Sequence, residues 1–386
     1  MISPSIPHLY IHVPFCPTIC PFCSFHVLHR REHLVDAYLI RLDHELAATA
    51  ATWPEAGALR SVYLGGGTPS HLSDTELERL VTSIRRRFDV SPDAEFALEA
   101  HPLNVSPARP PHWRELGFNR VSVGVQSTQD PVLRALGRPY DAAAGLAALE
   151  AVLAVEGWRV NADLIIAAPG QDVAADLHRL AATGVHHLAA YTLTIEDGTP
   201  FQRRGVKVPE EAERAALIAA AEILPAYGLS RYEVSNYARP GAQCDHNLGY
   251  WRNHFWFGAG PSATAHLPAT PEDPGAPGGH AGPDRLVRNP DLNGWLAGVS
   301  PGEETLGPDD TARNRLLGGL RLSDGVTLDV LDVLDEACGG DTAERARLRH
   351  QVQELCRQGL LIADEKRLRA SGEGLLVLDH VLAELW

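Results

Sequence analysis

With 386 residues, 45% of them apolar and 22% charged, the chain has the composition of a folded globular protein and the length for one large α/β domain plus a smaller one. Its net charge of −15 argues against a general nucleic-acid binder, which needs a basic face against phosphates. No basic start with a long apolar run marks a signal peptide, and no apolar stretch approaches the ~20 residues that cross a bilayer, so a cytoplasmic protein without membrane insertion is expected.

From the N-terminus, short β-rich runs alternate with amphipathic helical runs. Strands are expected at Leu9–Val13, Ser61–Leu64, Glu95–Glu99, Arg120–Val125, Asn161–Ile166 and His187–Leu193. Helices are expected at Glu32–Ala51, Ser73–Phe88, Pro107–Leu116, Asp141–Glu156, Val173–Thr183 and Glu210–Tyr227, with Ser73 and Glu76 forming a capping box. Such alternation implies an α/β fold with a parallel sheet. Six units fit a partial (β/α)6, TIM-like barrel better than a closed eightfold one, the missing wall being filled by later segments or by substrate. An open doubly wound sheet is the alternative.

From Ala238 to Pro283 Pro and Gly become dense, which reads as a surface loop or turn-rich excursion. Pro308 to Trp386 reads as a separate, mainly helical unit. Its helices lie near Asp310–Leu320, Thr327–Glu336 and Thr342–Gln358, followed by a hairpin over 360–371 and a last helix Gly372–Trp386. This resembles a winged helix, and the acidic total favours a lid or docking role over DNA binding. The expected domains are 1–237, 238–307 and 308–386.

The chemistry gathers at the C-terminal ends of the strands, where a barrel puts its site. Tyr10–Phe25 ends in a loop with Cys16, Cys20 and Cys23, spaced C-x-x-x-C-x-x-C. An iron–sulfur cubane usually takes four thiolates, so three leave one iron open to another ligand. A zinc site completed by Cys244 or His12, or plain buried thiols, is the bland reading. Strand two runs into GGGTPS (Gly65–Ser70), Glu99 and His101 close strand three, Gln126 ends strand four, and Asp163 lies in strand five. Glycines let backbone N–H groups approach a ligand, although a tight βα turn explains them equally well. Arg138 suits a bidentate carboxylate contact or a surface salt bridge. Cys338 and Cys356 read as small core residues, and Cys244, beside Asp245 and His246, as a candidate thiol.

The cysteine spacing, with Phe22 before the last cysteine and a following strand that ends in GGGTP, resembles the radical S-adenosylmethionine (SAM) superfamily. The resemblance implies a 4Fe–4S cluster on Cys16, Cys20 and Cys23, SAM chelated to the open iron, and a reducing electron donor whose electron cleaves SAM to a 5′-deoxyadenosyl radical. It carries the SAM-binding role onto Gly66, Thr68, Glu99, Gln126, Arg138 and Asp163, with Tyr10 and Phe22 beside them.

YIHVPFC, YLGGGTPS, VSVGVQS, ALGR, LTIEDGTPF, YEVSNYARPG and HNLGYW occur in the order of the oxygen-independent coproporphyrinogen III oxidase-like branch. Phe25 stands where the true oxidases have a further cysteine, so that activity is set aside. Two groups remain, the class C methyltransferases, which place a second SAM near the first, and the haem chaperones, which carry an HNxxYW stretch such as His246–Trp251. The chain departs from the chaperone pattern at Ser24-Phe25-His26, in GAGPSATAHL (258–267) and in TARNRLLGGLRL (311–322), which lacks an acidic residue before its leucines, and such drift reads as a changed substrate pocket. The expectation therefore leans to a methyltransferase using two SAM molecules on an sp2 carbon of a heteroaromatic, natural-product or peptide-derived substrate. Tyr10 and Tyr232 are its candidate catalytic residues. A haem chaperone, with His246 toward the haem iron, is the alternative.

Overall fold

The computed structural model describes residues 5–268, 284–337 and 342–385. The Pro/Gly-rich stretch after Pro268, together with Cys338 and Trp386, lies outside the described residues. All six expected strands form: β1 (His8–Val13), β2 (Leu59–Gly66), β3 (Val90–Ala100), β4 (Arg120–Gln126), β5 (Arg159–Ile166) and β6 (His187–Thr192). They pair in parallel and in sequence order, giving an α/β fold with a mostly parallel central sheet.

Alternation along the strands explains which face goes where. Leu9, Ile11, Val62, Leu64, Leu98, Val121, Val123, Val160 and Leu188 form one fully buried apolar face. The helices cover it because their own apolar stripes match. In Asp74–Arg87, for example, Leu77, Leu80, Val81 and Ile84 recur at helical spacing and are buried, behind a Ser73–Glu76 capping box. The helix Glu210–Ile223 stops short of the expected Tyr227, because Pro225 has no N–H and the chain tightens into a 3₁₀ turn over Leu224–Tyr227.

The opposite face is polar, which is unusual for parallel strands. Pairing sets His8 beside Ser61, Tyr10 beside Tyr63, Glu99 beside Ser122, and Asn161 beside His187.

The sheet extends well beyond six strands. β7 (Ser230–Arg231) and β8 (Asn236–Ala238) add antiparallel at β6. At the other edge β9 (Trp256–Ala259) runs parallel to β1, followed by antiparallel β10 (Thr264–Pro268), β11 (Asp284–Arg288) and β12 (Gly302–Leu306). The full order is β12-β11-β10-β9-β1-β2-β3-β4-β5-β6-β8-β7. Part of the stretch read as a turn-rich excursion is thus sheet. Four residues with a central glycine carry too little periodicity to announce a strand.

The C-terminal unit has helices Pro308–Arg321, Asp329–Ala337 and Thr342–Arg357, then Gly372–Leu376 and Leu378–Leu385. A small antiparallel sheet joins Val326–Thr327, Arg367–Ala370 and Leu361–Ala363. Leu316, Leu320, Val330, Leu355, Leu368 and Val381 form its own core. No helix among the described residues is long and apolar enough to cross a membrane.

At the N-terminal ends of the strands the polar face is closed by a network around Glu95, which is fully buried. Arg120 Nε donates to it at 2.6 Å, Cys244 Sγ at 3.2 Å, and the amides of Asp245 and His246 at 3.2 and 3.1 Å. Burial pushes this carboxyl upward, but Arg120 and the His246 amide outweigh it and hold it below the usual range. Glu95→Gln would strand the Arg120 guanidinium, so urea unfolding should show a loss of about 3–5 kcal/mol. Adding Arg120→Met should recover part of that loss, whereas additive losses in the double variant would show that the two residues act separately.

Candidate functional site

The cysteine loop leaves β1 through Phe15–Cys16, which pairs with Leu28–His29. Cys16 and Cys20 are buried and Cys23 is partly exposed. Two donors face the sulfurs: Thr68 Oγ1 lies 3.5 Å from Cys16 Sγ, and Arg138 Nη1 lies 2.8 Å from Cys20 Sγ. Burial pushes the Cys16 thiol up to about 11 and raises Cys23 as well, a cost that a bound cationic group would offset. Three thiols in one loop, with a guanidinium and a hydroxyl donating to them, suit an iron–sulfur cluster. Among the described residues no three His, Cys, Asp or Glu side chains converge on a single metal ion. The other candidate zinc ligands are engaged elsewhere. Cys244 bonds Glu95 on the floor, and His12 uses one ring nitrogen on Tyr10 and the other on the His26 carbonyl.

Arg138 is no surface ion pair. Besides Cys20, it donates to Tyr140 Oη at 2.9 Å and to the Gly124 carbonyl at 3.3 Å, so its fork ties the cysteine loop to β4. Gln126 ends β4 with φ of +66°, a conformation that costs a residue with a Cβ of order 1 kcal/mol and is held by its surroundings. Gly66 has φ of +106°, and its N–H donates to Glu99 Oε2 at 3.1 Å. Any Cβ on Gly66 would sit 2.5 Å from His12 Nδ1. Glu99 also accepts from Tyr63 Oη at 2.9 Å. Asp163 accepts from Ser122 Oγ at 2.9 Å and from Asn161 Nδ2 at 2.7 Å.

Burial and the Asp163 charge push Glu99 up to about 7, and burial pushes Asp163 up to about 6. Two carboxyls without a salt bridge among the described residues face one chamber, which is therefore prepared for a cation. The adjoining cavity is about 470 Å³, lined by Tyr10, Glu99, Phe25, Tyr250, Trp256 and Thr264 among others.

The structure thus brings together the three cysteines, Tyr10, Gly66, Thr68, Glu99, Gln126, Arg138 and Asp163. It does not bring Tyr232 to the chamber, and it packs the Phe22 ring 6.1 Å from Phe201. Tyr232 is buried in the floor, its hydroxyl 2.9 Å from His187 Nε2 and accepting the Cys244 amide at 3.3 Å. A motif match gives order along the chain, whereas depth in the barrel follows from strand register. Tyr63 was missed, although strict alternation Ser61-Tyr63-Gly65 on β2 would have placed it on the polar face. Tyr250 and Trp256 carried no such signal, since they reach the wall through the late helix Asp245–Trp251 and through β9.

His246 also departs from its expected role. It is 1% exposed, with Nδ1 2.7 Å from Ser61 Oγ and Nε2 2.8 Å from Tyr250 Oη, so neither nitrogen is free for an iron. Cys244, 3% exposed and bonded to Glu95, is not an accessible thiol.

A family model described as the radical SAM superfamily matches residues 10–222. The chain is 34% identical over 396 residues to the heme chaperone HemW of Mycobacterium tuberculosis, covering 98% of this chain and 94% of that protein. It is 31% identical over 376 residues to the heme chaperone HemW of Lactococcus lactis, covering 95% and 93%. Among solved structures, coproporphyrinogen III oxidase (HemN) from Escherichia coli superposes with a TM-score of 0.80 at 23% identity, covering 100% of this chain and 91% of that one, which shows a shared fold.

The Gly66 geometry is directly testable. Gly66→Ala should destabilise the protein by about 1–3 kcal/mol in urea unfolding, because the new Cβ meets the His12 ring in a left-handed conformation. Gly205→Ala, at φ of +66° with nothing within 4 Å of its Cβ, should cost less. Equal costs would remove the packing argument.

Proposed function

From the premise that this chain belongs to the radical SAM superfamily, in its HemW/HemN-like branch, we propose that it is a haem chaperone that retains a 4Fe–4S cluster and a SAM site. The observation that carries this reading is coverage. Relatives named as heme chaperones match 98% of the chain, the C-terminal unit included. Superfamily membership implies the cluster, SAM and a reducing electron donor.

In this reading Cys16, Cys20 and Cys23 hold the cluster, with Thr68 and Arg138 donating to its sulfurs. Once bound, the cluster supplies one electron to SAM. Gly66, Gln126, Glu99 and Asp163 surround SAM, the two carboxyls answering its positive charge, and Tyr10 closes one side. Haem would take the aromatic wall of Phe25, Tyr250 and Trp256, where Phe25 is 68% exposed.

The lean toward a methyltransferase rested on local drift, two instances of which lie at Ser24-Phe25-His26 and 258–267. Those two segments form walls of a single cavity, so their drift reads as a change of its shape and requires no second SAM. The relatives give methyl transfer no support.

Anaerobic reconstitution tests the proposal. Iron content and cluster absorbance should collapse in Cys20→Ala, SAM should perturb the spectrum of the reduced cluster, and ferric haem should give a saturable Soret-band complex. Formation of both 5′-deoxyadenosine and S-adenosylhomocysteine with an acceptor, and no haem complex, would overturn it in favour of methyl transfer.

SAM binding should also depend on pH. The free chamber holds protons on the Glu99–Asp163 pair below about pH 7, and a cationic ligand binds the ionised pair better. Affinity should therefore rise from about pH 6 and level off near pH 7.5, with proton release on binding in calorimetry. Asp163→Asn should move the rise to lower pH by removing the charge that holds the Glu99 proton. A flat affinity profile would show that the carboxyls do not meet the cation.

A further inference from the structure

A continuous row of hydrogen bonds leaves the cavity through the floor of the barrel. Tyr250 Oη, on the cavity wall, lies 2.8 Å from His246 Nε2. His246 Nδ1 lies 2.7 Å from Ser61 Oγ, and Ser61 Oγ lies 2.7 Å from His8 Nδ1. His8 Nε2 then lies 3.1 Å from Nδ1 of His254, which is partly exposed on the far side. The three residues between the ends are buried.

Each member between the ends has one partner on either side, as proton transfer along a chain requires. The imidazoles are neutral. Burial lowers His8 and His246 to about 3, and burial with Arg252 and Arg60 lowers His254 to about 4. A neutral imidazole carries one N–H and one lone pair, so it passes a proton by accepting on one nitrogen and releasing from the other. The row has two self-consistent polarities. In one, Tyr250 donates to His246, His246 to Ser61, Ser61 to His8, and His8 to His254. In the other, every bond is reversed. A single proton entering at one end and another leaving at the other converts the first into the second, with no net charge left inside.

Buried histidines in a satisfied core need partners, but they need no unbroken line from a ligand cavity to solvent. The backbone here keeps the line intact, since a Cβ on Gly249 would sit 2.5 Å from His8 Nε2.

We infer that Tyr250, His246, Ser61, His8 and His254 form a proton path that supplies or drains a ligand with an ionisable group seated against Tyr250. When such a ligand covers the mouth and displaces its water, the floor is the remaining route. The step moves protons alone, one in and one out, and needs no redox partner. Ser61 acts through its neighbours and is a positioning residue. The inference shares its cavity with the haem-chaperone reading, which supplies the probe for the first measurement only.

The test uses the cluster-loaded protein in weak buffer with a pH indicator, mixed rapidly with ferric protoporphyrin IX. In wild type and Ser61→Thr, proton uptake or release should keep pace with the Soret change. In Ser61→Ala, which keeps both histidines and the cavity wall, the proton step should lag by about tenfold or more, the cost of removing a link worth at least 1.4 kcal/mol. Equal proton kinetics in Ser61→Ala and wild type would overturn the path. Should haem not bind at all, the chaperone reading falls, and imidazole ¹⁵N spectra of the haem-free protein decide the path. Tyr250→Phe should then shift the tautomer balance of His8, three bonds away along the row, and an unchanged His8 signal would overturn it.

Discussion

A sheet with one polar face survives burial only if the groups on that face find partners, and here Glu95 organises the pairing. Its carboxylate gathers Arg120, the Cys244 thiol and two amides of the helix Asp245–Trp251. Arg120 in turn donates to the Ala242 and Gln243 carbonyls. The late segment is thereby pulled under the barrel, and with it come His246 and Tyr250. A network of this kind stabilises only when complete, because one missing partner leaves a charge in a medium that cannot solvate it.

The same face behaves differently a few residues further along each strand. Glu95 and Glu99 occupy the same side of β3, yet Glu95 is held below the usual carboxylate range and Glu99 is pushed to about 7. The difference is the counter-charge. The floor supplies a guanidinium and helix amides, whereas the chamber supplies a tyrosine hydroxyl, one amide and a second carboxyl. A fold that satisfies one end of its polar face and leaves the other short of a cation has marked where its ligand goes. The marking costs stability, as expected of a site built before its occupant arrives.

How much of this was legible follows from the range of the interactions involved. β1 to β6 were readable because each carries its own alternation or apolar run, and the cysteine loop because its spacing is local. β9 is short and takes its identity from β1, more than two hundred residues away, which no window of sequence contains, and β10 in turn pairs with β9 and β11. Tyr232 and His246 were drawn to the site by motif, but their hydrogen bonds to His187, the Cys244 amide, Glu95 and Ser61 hold both on the floor. The departures at Ser24–His26 and 258–267 read in the sequence as a changed substrate pocket, and residues of both line one cavity. His26 makes that link physical, since its Nε2 accepts the Leu292 amide at 3.1 Å and ties the cysteine loop to the late extension.

The C-terminal unit bears on how the site is closed. It was expected to serve as a lid or docking element, and three of its contacts are with the floor. Ser323 N donates to the Tyr232 carbonyl at 3.0 Å, Leu322 bridges to Glu233, and Arg321 lies 4.2 Å over the Trp251 ring. All three contacts lie at the N-terminal ends of the strands, opposite the cysteine loop. A unit so placed covers part of the barrel from below. On the side of the cysteines Ile19 and Phe25 are exposed. Across that end the row from Tyr250 to His254 offers a line of hydrogen bonds, and a proton is the species that such a line can carry.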